Sequence, residues 1–213
     1  MEPNLNNLAI SMIKPFGPSI IKLKLPETMV SQMNEYVDNI LEDEQKLKAL
    51  DHGTKLAGNV SQELLLETEF MKKINWVGFI GSACNEWLKR TSGKELKDLV
   101  IIKTWIVRQF EHEYNPVHHH TGHISGVGYL KVPQHMGRSF NEDKARNSNG
   151  SLVFIHGSAN LFSNATFTIK PEPGDFYMFP NYLQHAVYPF SGTDEERRSV
   201  SFNAVLDPDA ASY

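Results

Sequence analysis

Residues 118–130 read His118-His119-His120-Thr121-Gly122-His123-Ile124-Ser125-Gly126-Val127-Gly128-Tyr129-Leu130, a histidine run that passes directly into a β-branched and aromatic stretch. That stretch, 124–132, sets the texture of the chain beyond Leu99: short runs of this kind, broken by Gly, Pro and Asn. Branched and aromatic side chains fit a pleated, half-buried surface, and the breakers between them make turns, so the runs read as strands of an antiparallel β domain. The others are 99–110, 151–156, 165–170 with 175–179, and 197–206. Between the second and third runs lies 134–150, too long and polar for a hairpin turn. Long loops of that kind tend to be functional lids or disordered, and Arg138, Phe140 and Arg146 make it the candidate substrate-contacting loop.

Upstream the pattern changes. Residues 19–25 alternate as a strand, and Pro26 opens a helix whose apolar stripe is Met29, Met33, Tyr36, Val37, Ile40 and Leu41. A second stripe, Trp76, Phe79, Ile80, Cys84, Trp87 and Leu88, keeps helical spacing and ends before Ser92-Gly93. Both helices are expected to cover a sheet, while 42–75 has no clear period. The division is therefore one domain over 1–213, with a helix-and-strand part over 1–98 and a β core over 99–206.

With 213 residues, 40% of them hydrophobic, the chain can bury a sizeable core. Its net charge of −4 does not favour a polyanion, so no nucleic acid partner is expected. Cys84 is the single cysteine, which excludes an internal disulfide and the paired-cysteine metal sites. The amino terminus lacks a basic stretch leading into an apolar run, and no segment has the length of a membrane span. A soluble, cytoplasmic protein is the expectation, with no membrane partner and its oligomeric state left open.

Four of the nine histidines fall within six positions, His118, His119, His120 and His123. On an extended backbone residues i and i+2 share a face, so His118 and His120 can converge on one point while His119 looks away. A mononuclear catalytic metal needs about three protein ligands with open positions besides. His185, after Phe179-Pro180-Asn181-Tyr182-Leu183-Gln184, is the best candidate for the third, held at the mouth of a β barrel. The competing reading is a solvated, histidine-rich surface loop. Against it stand the short His185-to-Arg197 separation, the turn Pro171-Glu172-Pro173-Gly174-Asp175, and Arg197-Arg198-Ser199. In that last triplet Arg197 and Ser199 share a strand face and can hold a carboxylate, while Arg198 is expected to face away into solvent.

These stretches resemble the 2-oxoglutarate-Fe(II) oxygenases, in particular the prolyl-hydroxylase-like branch. The resemblance rests on the histidine motif, Ser125-Gly126-Val127-Gly128-Tyr129-Leu130, Pro173-Gly174-Asp175-Phe176-Tyr177-Met178-Phe179-Pro180, His185, and Arg197-Arg198-Ser199-Val200-Ser201-Phe202-Asn203, in the family's order and spacing. It covers about 99–206. It implies an α+β fold with a double-stranded β-helix core, a cupin-like jelly roll, and N-terminal helices packed on one sheet. Where most members carry His-x-Asp or His-x-Glu, this chain has His118-x-His120. That implies a three-histidine site, with Glu111, Glu113 or Asp175 as alternative carboxylate ligands.

The resemblance further implies a dioxygenase that uses Fe(II), 2-oxoglutarate and O2, with ascorbate as candidate reductant, to hydroxylate a C–H bond with release of succinate and CO2. His118, His120 and His185 would hold iron and Arg197 the far carboxylate of 2-oxoglutarate. Ser199 and Tyr129 would add hydrogen bonds, Asn203 would support the site, and Trp105 and Gln109 would line the pocket. A prolyl residue in a peptide or protein is the first substrate expected, and a free amino acid or other small molecule the second. Two rivals remain: a three-histidine cupin-type dioxygenase without cosubstrate, and a non-catalytic metal-dependent or sugar-binding β module. The first has no use for Arg197-x-Ser199, and the second would be expected to lose His185 or Arg197.

Overall fold

The computed structural model describes residues 11–13, 17–137, 147–161 and 163–211; Arg138, Phe140 and Arg146 lie outside them. Along the described residues run β1 (Ser11–Ile13), β2 (Ile20–Lys24), α1 (Glu27–Leu41), α2 (Glu44–Leu50), β3 (Gln62–Leu65), α3 (Thr68–Lys73) and α4 (Trp76–Ser92). Then follow β4 (Leu99–Gln109), β5 (Asn115–His118), β6 (Ile124–Lys131), β7 (Leu152–Ile155), β8 (Thr166–Ile169), β9 (Asp175–Pro180), β10 (Gln184–Val187), β11 (Arg197–Leu206) and α5 (Pro208–Ala211).

Alternation along the central strands decides what lies on either side of the larger sheet. Its order is β1-β2-β9-β6-β11-β4-β3, all antiparallel. On β11, Val200, Phe202 and Ala204 face a core shared with Met33 and Val37 of α1 and with Trp76, Phe79 and Ile80 of α4. On β9, Phe176 and Met178 join them, so the helices cover one face of this sheet, as their apolar stripes predicted. Trp76 meets Phe176 and Phe202 edge-on, with ring centroids 5.9 and 6.2 Å apart, and its indole N–H is satisfied by Thr104 Oγ1 at 3.1 Å. Burying a ring such as Phe202 contributes about 1.5–3 kcal/mol.

Gly126 and Gly128 make that packing possible. A Cβ on Gly126 would lie 2.4 Å from the Phe202 ring and 2.8 Å from the Tyr177 carbonyl, and one on Gly128 would lie 2.8 Å from Leu25. The central strand thus leaves space for the large side chains of its neighbours. The alternate residues, Tyr177 and Phe179 of β9 and Tyr129 of β6, point to the other face. There they meet Leu152 and Phe154 of a second sheet, ordered β5-β10-β7-β8. The two facing antiparallel sheets form the double-stranded β-helix core, with a cavity between them.

One segment that the sequence left unassigned takes form, and one expectation needs amendment. Residues 42–75 are structured, forming α2, a 3₁₀ turn at Gly53–Lys55, β3 and α3. Arg198 does face away from Arg197, but it is 1% exposed instead of solvated. Its guanidinium bonds Glu196 at 2.8 and 2.9 Å, Asp38 of α1 at 2.7 Å and the Asn34 carbonyl at 3.1 Å. It ties the helix layer to the sheet. No helix among the described residues is long and apolar enough to cross a membrane.

Candidate metal centre

His118 closes β5 and His185 is the second residue of β10, and the two are direct cross-strand partners, so their side chains rise from the same face of the smaller sheet. His120 lies two residues past the end of β5, and its backbone is clamped. Its N–H donates to the Asn181 carbonyl at 3.0 Å, and its carbonyl accepts from Asn181 Nδ2 at 2.9 Å. Asn181 belongs to the turn joining β9 to β10, so one short connection orients both His120 and His185. The ring centroids are 4.3 Å apart for His118 and His185, and 4.9 Å from His120 to either. One ring nitrogen from each lies within 4.8 Å of the others. His119 is exposed.

Hydrogen bonding fixes the tautomers. His118 Nδ1 lies 2.7 Å from the Pro116 carbonyl and His185 Nδ1 lies 2.9 Å from that of Leu183. A carbonyl only accepts, so each Nδ1 carries the hydrogen and each Nε2 keeps a lone pair, the form that binds metal. His120 Nε2 and His185 Nε2 approach to 3.2 Å. Burial, reinforced by the neighbouring imidazoles, pushes His120 and His185 down to about 3 and lowers His118 as well. All three are neutral bases at physiological pH. The donor set suits a first-row divalent ion such as iron(II), which accepts imidazole nitrogen.

Neither Glu111, Glu113 nor Asp175 joins this group. Asp175 is ion-paired with Lys22 at 3.0 Å and Lys24 at 2.7 Å. Glu113 accepts from the Phe110 N–H at 2.8 Å and from the Ser61 hydroxyl, and Glu111 accepts from the Gly192 N–H at 3.1 Å. Each carboxylate is committed to partners away from the three histidines.

The three histidines open into a cavity of about 410 Å³, within the range of small-molecule sites. Arg197, Ser199, Tyr129, Asn203 and Trp105 line it as well. Arg197 is 3% exposed; its Nη1 donates to the Gly150 carbonyl at 2.9 Å, and its Nε has no partner. The guanidinium stands 5.8 Å from the Tyr129 ring centroid and has no carboxylate partner among the described residues. Burial accordingly lowers its pKa, and the same burial pushes Tyr129 up to about 12. A buried cation without a counter-charge costs several kcal/mol, so this end of the cavity is prepared for an anion. Ser199 pairs in register with Tyr129, which puts both hydroxyls on that wall. Asn203 accepts from the Ser125 hydroxyl at 2.8 Å, and Trp105 meets His120 edge-on at 5.8 Å.

Gln109 departs from expectation: it does not line the cavity, and its amide instead donates to the Glu113 and Tyr188 carbonyls. Of the loop at 134–150, the described end contributes Gly150, whose carbonyl holds Arg197. Sequence reasoning also missed Glu63, a 1%-exposed carboxylate on β3 that lines the same cavity. Burial, then the Asp51 carboxylate, pushes it up to about 7, against the pull of Lys103 and the Trp105 indole. Gln62-Glu63-Leu64-Leu65 does not alternate polar with apolar, so no local pattern marked the strand or its buried carboxylate.

Comparison with known proteins bears on the fold. Residues 103–203 match a family described as "Putative 2OG-Fe(II) oxygenase". No curated protein matches the chain. Among solved structures, a prolyl-4-hydroxylase from Pseudomonas putida is similar at 13% identity and a TM-score of 0.56, covering 95% of this chain and 94% of its own. HygX from Streptomyces hygroscopicus, with nickel and 2-oxoglutarate bound, is similar at 9% identity and 0.55, over 89% and 82%. A prolyl hydroxylase from Trichoplax adhaerens, in complex with a hypoxia inducible factor oxygen degradation domain peptide fragment, is similar at 12% identity and 0.51, over 97% and 87%. At these identities the likeness is one of fold.

Proposed function

We propose, from the match of residues 103–203 to the 2OG-Fe(II) oxygenase family, that this chain belongs to it and that its cavity brings iron(II) and 2-oxoglutarate to a substrate C–H bond. His118, His120 and His185 hold the iron through Nε2, and Arg197 holds the far carboxylate of 2-oxoglutarate. Ser199 and Tyr129 donate hydroxyls to that carboxylate, and Asn203, oriented by Ser125, supports the wall beside them. When bound, iron and 2-oxoglutarate supply the oxidation, consuming O2, releasing succinate and CO2, and delivering one oxygen atom to the substrate. The chain's own work is to keep three imidazoles neutral and to hold an uncompensated cation where the cosubstrate's charge is needed.

The observation that carries this reading is Arg197, buried, with a free Nε and no carboxylate partner among the described residues, in the same cavity as the three histidines. A three-histidine dioxygenase without cosubstrate would use that cation only if its substrate were itself a carboxylate. Three neutral ligands also leave the iron more positive than two imidazoles and a carboxylate would, which strengthens chelation of a dianion. A prolyl residue in a peptide or protein is the first substrate to try, by analogy with the Pseudomonas and Trichoplax enzymes, and a free amino acid the second.

Purified protein supplied with Fe(II), 2-oxoglutarate, ascorbate and air is expected to form succinate slowly even without a prime substrate. Bound metal with no succinate formed would favour the non-catalytic module.

A further inference from the structure

The wall of the cavity can be followed across the larger sheet in register. Tyr129 of β6 pairs with Ser199 of β11, Ser199 with Val107 of β4, and Val107 with Glu63 of β3, and all four line the cavity. Neighbouring strands are about 4.8 Å apart, so Glu63 stands about 10 Å across the wall from Ser199. The cavity therefore carries a cationic position at Arg197 of β11 and, two strands away on the same wall, an acidic position at Glu63 of β3.

Glu63 is not alone there. A Cβ placed on Gly58 would come 3.2 Å from Glu63 Oε1 and 2.9 Å from Asn115 Oδ1, so both side chains converge on the space beside that glycine. Asn115 begins β5, the strand that ends at His118, and it lines the same cavity. Glu63 Oε2 and Asn115 Oδ1 are both buried without a hydrogen-bond partner. Lys103 of β4 and Lys55 of the 3₁₀ turn also reach the cavity, but neither is ion-paired with Glu63, and Asp51 adds a second negative charge close by. Two converging acceptor oxygens, one on a carboxylate, select a ligand with several N–H donors. A carboxylate stripped of water is fully compensated only by a cation.

We propose that Glu63 and Asn115 form the substrate-recognition end of this cavity and take a cationic nitrogen, an ammonium or guanidinium, of the molecule to be oxidised. The proposal rests on the oxygenase reading for what happens to that molecule, but the subsite is built from this chain's own residues. The nitrogen belongs to a free amino acid or amine, or to a basic side chain of a peptide.

The test is calorimetric titration of the protein loaded with Fe(II) and 2-oxoglutarate under anaerobic conditions, using n-butylammonium as probe and 1-pentanol as its neutral counterpart. At pH 8 the ammonium is expected to bind at least tenfold more tightly than the alcohol. Its affinity should fall as the pH drops through about 7 and Glu63 takes up a proton. Glu63→Gln should remove at least tenfold of it. Equal affinities for the two probes, or an unchanged affinity in Glu63→Gln, would overturn the proposal. Should that variant not fold, an ammonium affinity unchanged in Asn115→Ala does the same. Competition by free L-lysine and L-arginine, set against capped tripeptides containing them, then separates the two sources. Succinate formation without ammonium selectivity removes the subsite alone. Ammonium selectivity without succinate removes the oxygenase reading alone.

Discussion

Arg197 is the residue whose surroundings are hardest to explain without a ligand. Its neighbour in sequence, Arg198, is equally buried, yet Glu196, Asp38 and the Asn34 carbonyl satisfy it, and those partners raise its pKa where burial lowers that of Arg197. Two adjacent buried arginines thus differ in their partners: Arg198 is met by carboxylates, and Arg197 has none among the described residues, as the proposed anchoring role requires. Arg197→Ala is expected to weaken 2-oxoglutarate binding while leaving Fe(II) affinity nearly unchanged. Loss of a charge-assisted contact at a desolvated site costs about 2–5 kcal/mol, which is 30-fold or more in calorimetric Kd. Unchanged affinity would move the anchor elsewhere. Strand parity alone separated the two arginines in sequence. The burial of Arg198 was not legible, because its partner Asp38 lies 160 positions away on α1, and no local pattern reports such a meeting.

Among the elements, the long ones were legible and the short ones were not. α1 and α4 announced themselves through 3.6-residue stripes and through Pro26 before one and Gly93 after the other, the latter in the left-handed conformation that a helix end favours. The strands that matter most to the metal centre, β5 and β10, are four residues each and carry Pro116 or a Gln-His-Ala sequence of low β propensity. Pairing with each other forms them, as β10 also pairs with β7, and local preference does not. The spacing of His118 and His120 nevertheless fits how their rings gather, with His120, past the end of β5, held in place by Asn181. The register makes a sharp prediction. Alanine at His118, His120 or His185 should each lower Fe(II) affinity at least a hundredfold in anaerobic equilibrium dialysis, since two imidazoles remain where three stood. His119→Ala should stay within about threefold of the native protein, and His120→Asp, which restores the commoner His-x-Asp pattern, should retain iron. Loss of iron in His119→Ala with retention in His120→Ala would mean that the register is shifted by one residue.

For the molecule as a whole, placing a polar cavity between two sheets means that titratable groups are buried in opposite senses, and stability must record it. His120 and His185 are depressed from 6.5 to about 3, so between those values the unfolded chain binds more protons than the folded one. Their contribution is complete above pH 6.5 and is lost as the pH falls toward 3. Glu63 is raised from 4.5 to about 7, so the folded state binds the extra proton in that window. Its contribution is complete below pH 4.5 and is lost as the pH rises through 7. The metal-free protein is therefore pulled down by the histidines on the acid side and by Glu63 on the neutral side. Glu63→Gln keeps the shape and removes the charge. In urea melts of chelator-treated protein the variant should match the native chain at pH 4.5, where Glu63 is already neutral. At pH 8 it should exceed the native chain by up to about 3 kcal/mol, at about 1.4 kcal/mol per unit of displaced pKa. An equal difference at both pH values would show that the substitution acts through packing and that no uncompensated charge is buried at Glu63. A gain confined to high pH would mean that the native chain gives up stability to keep a carboxylate in its cavity, a cost that a ligand cation entering there would offset.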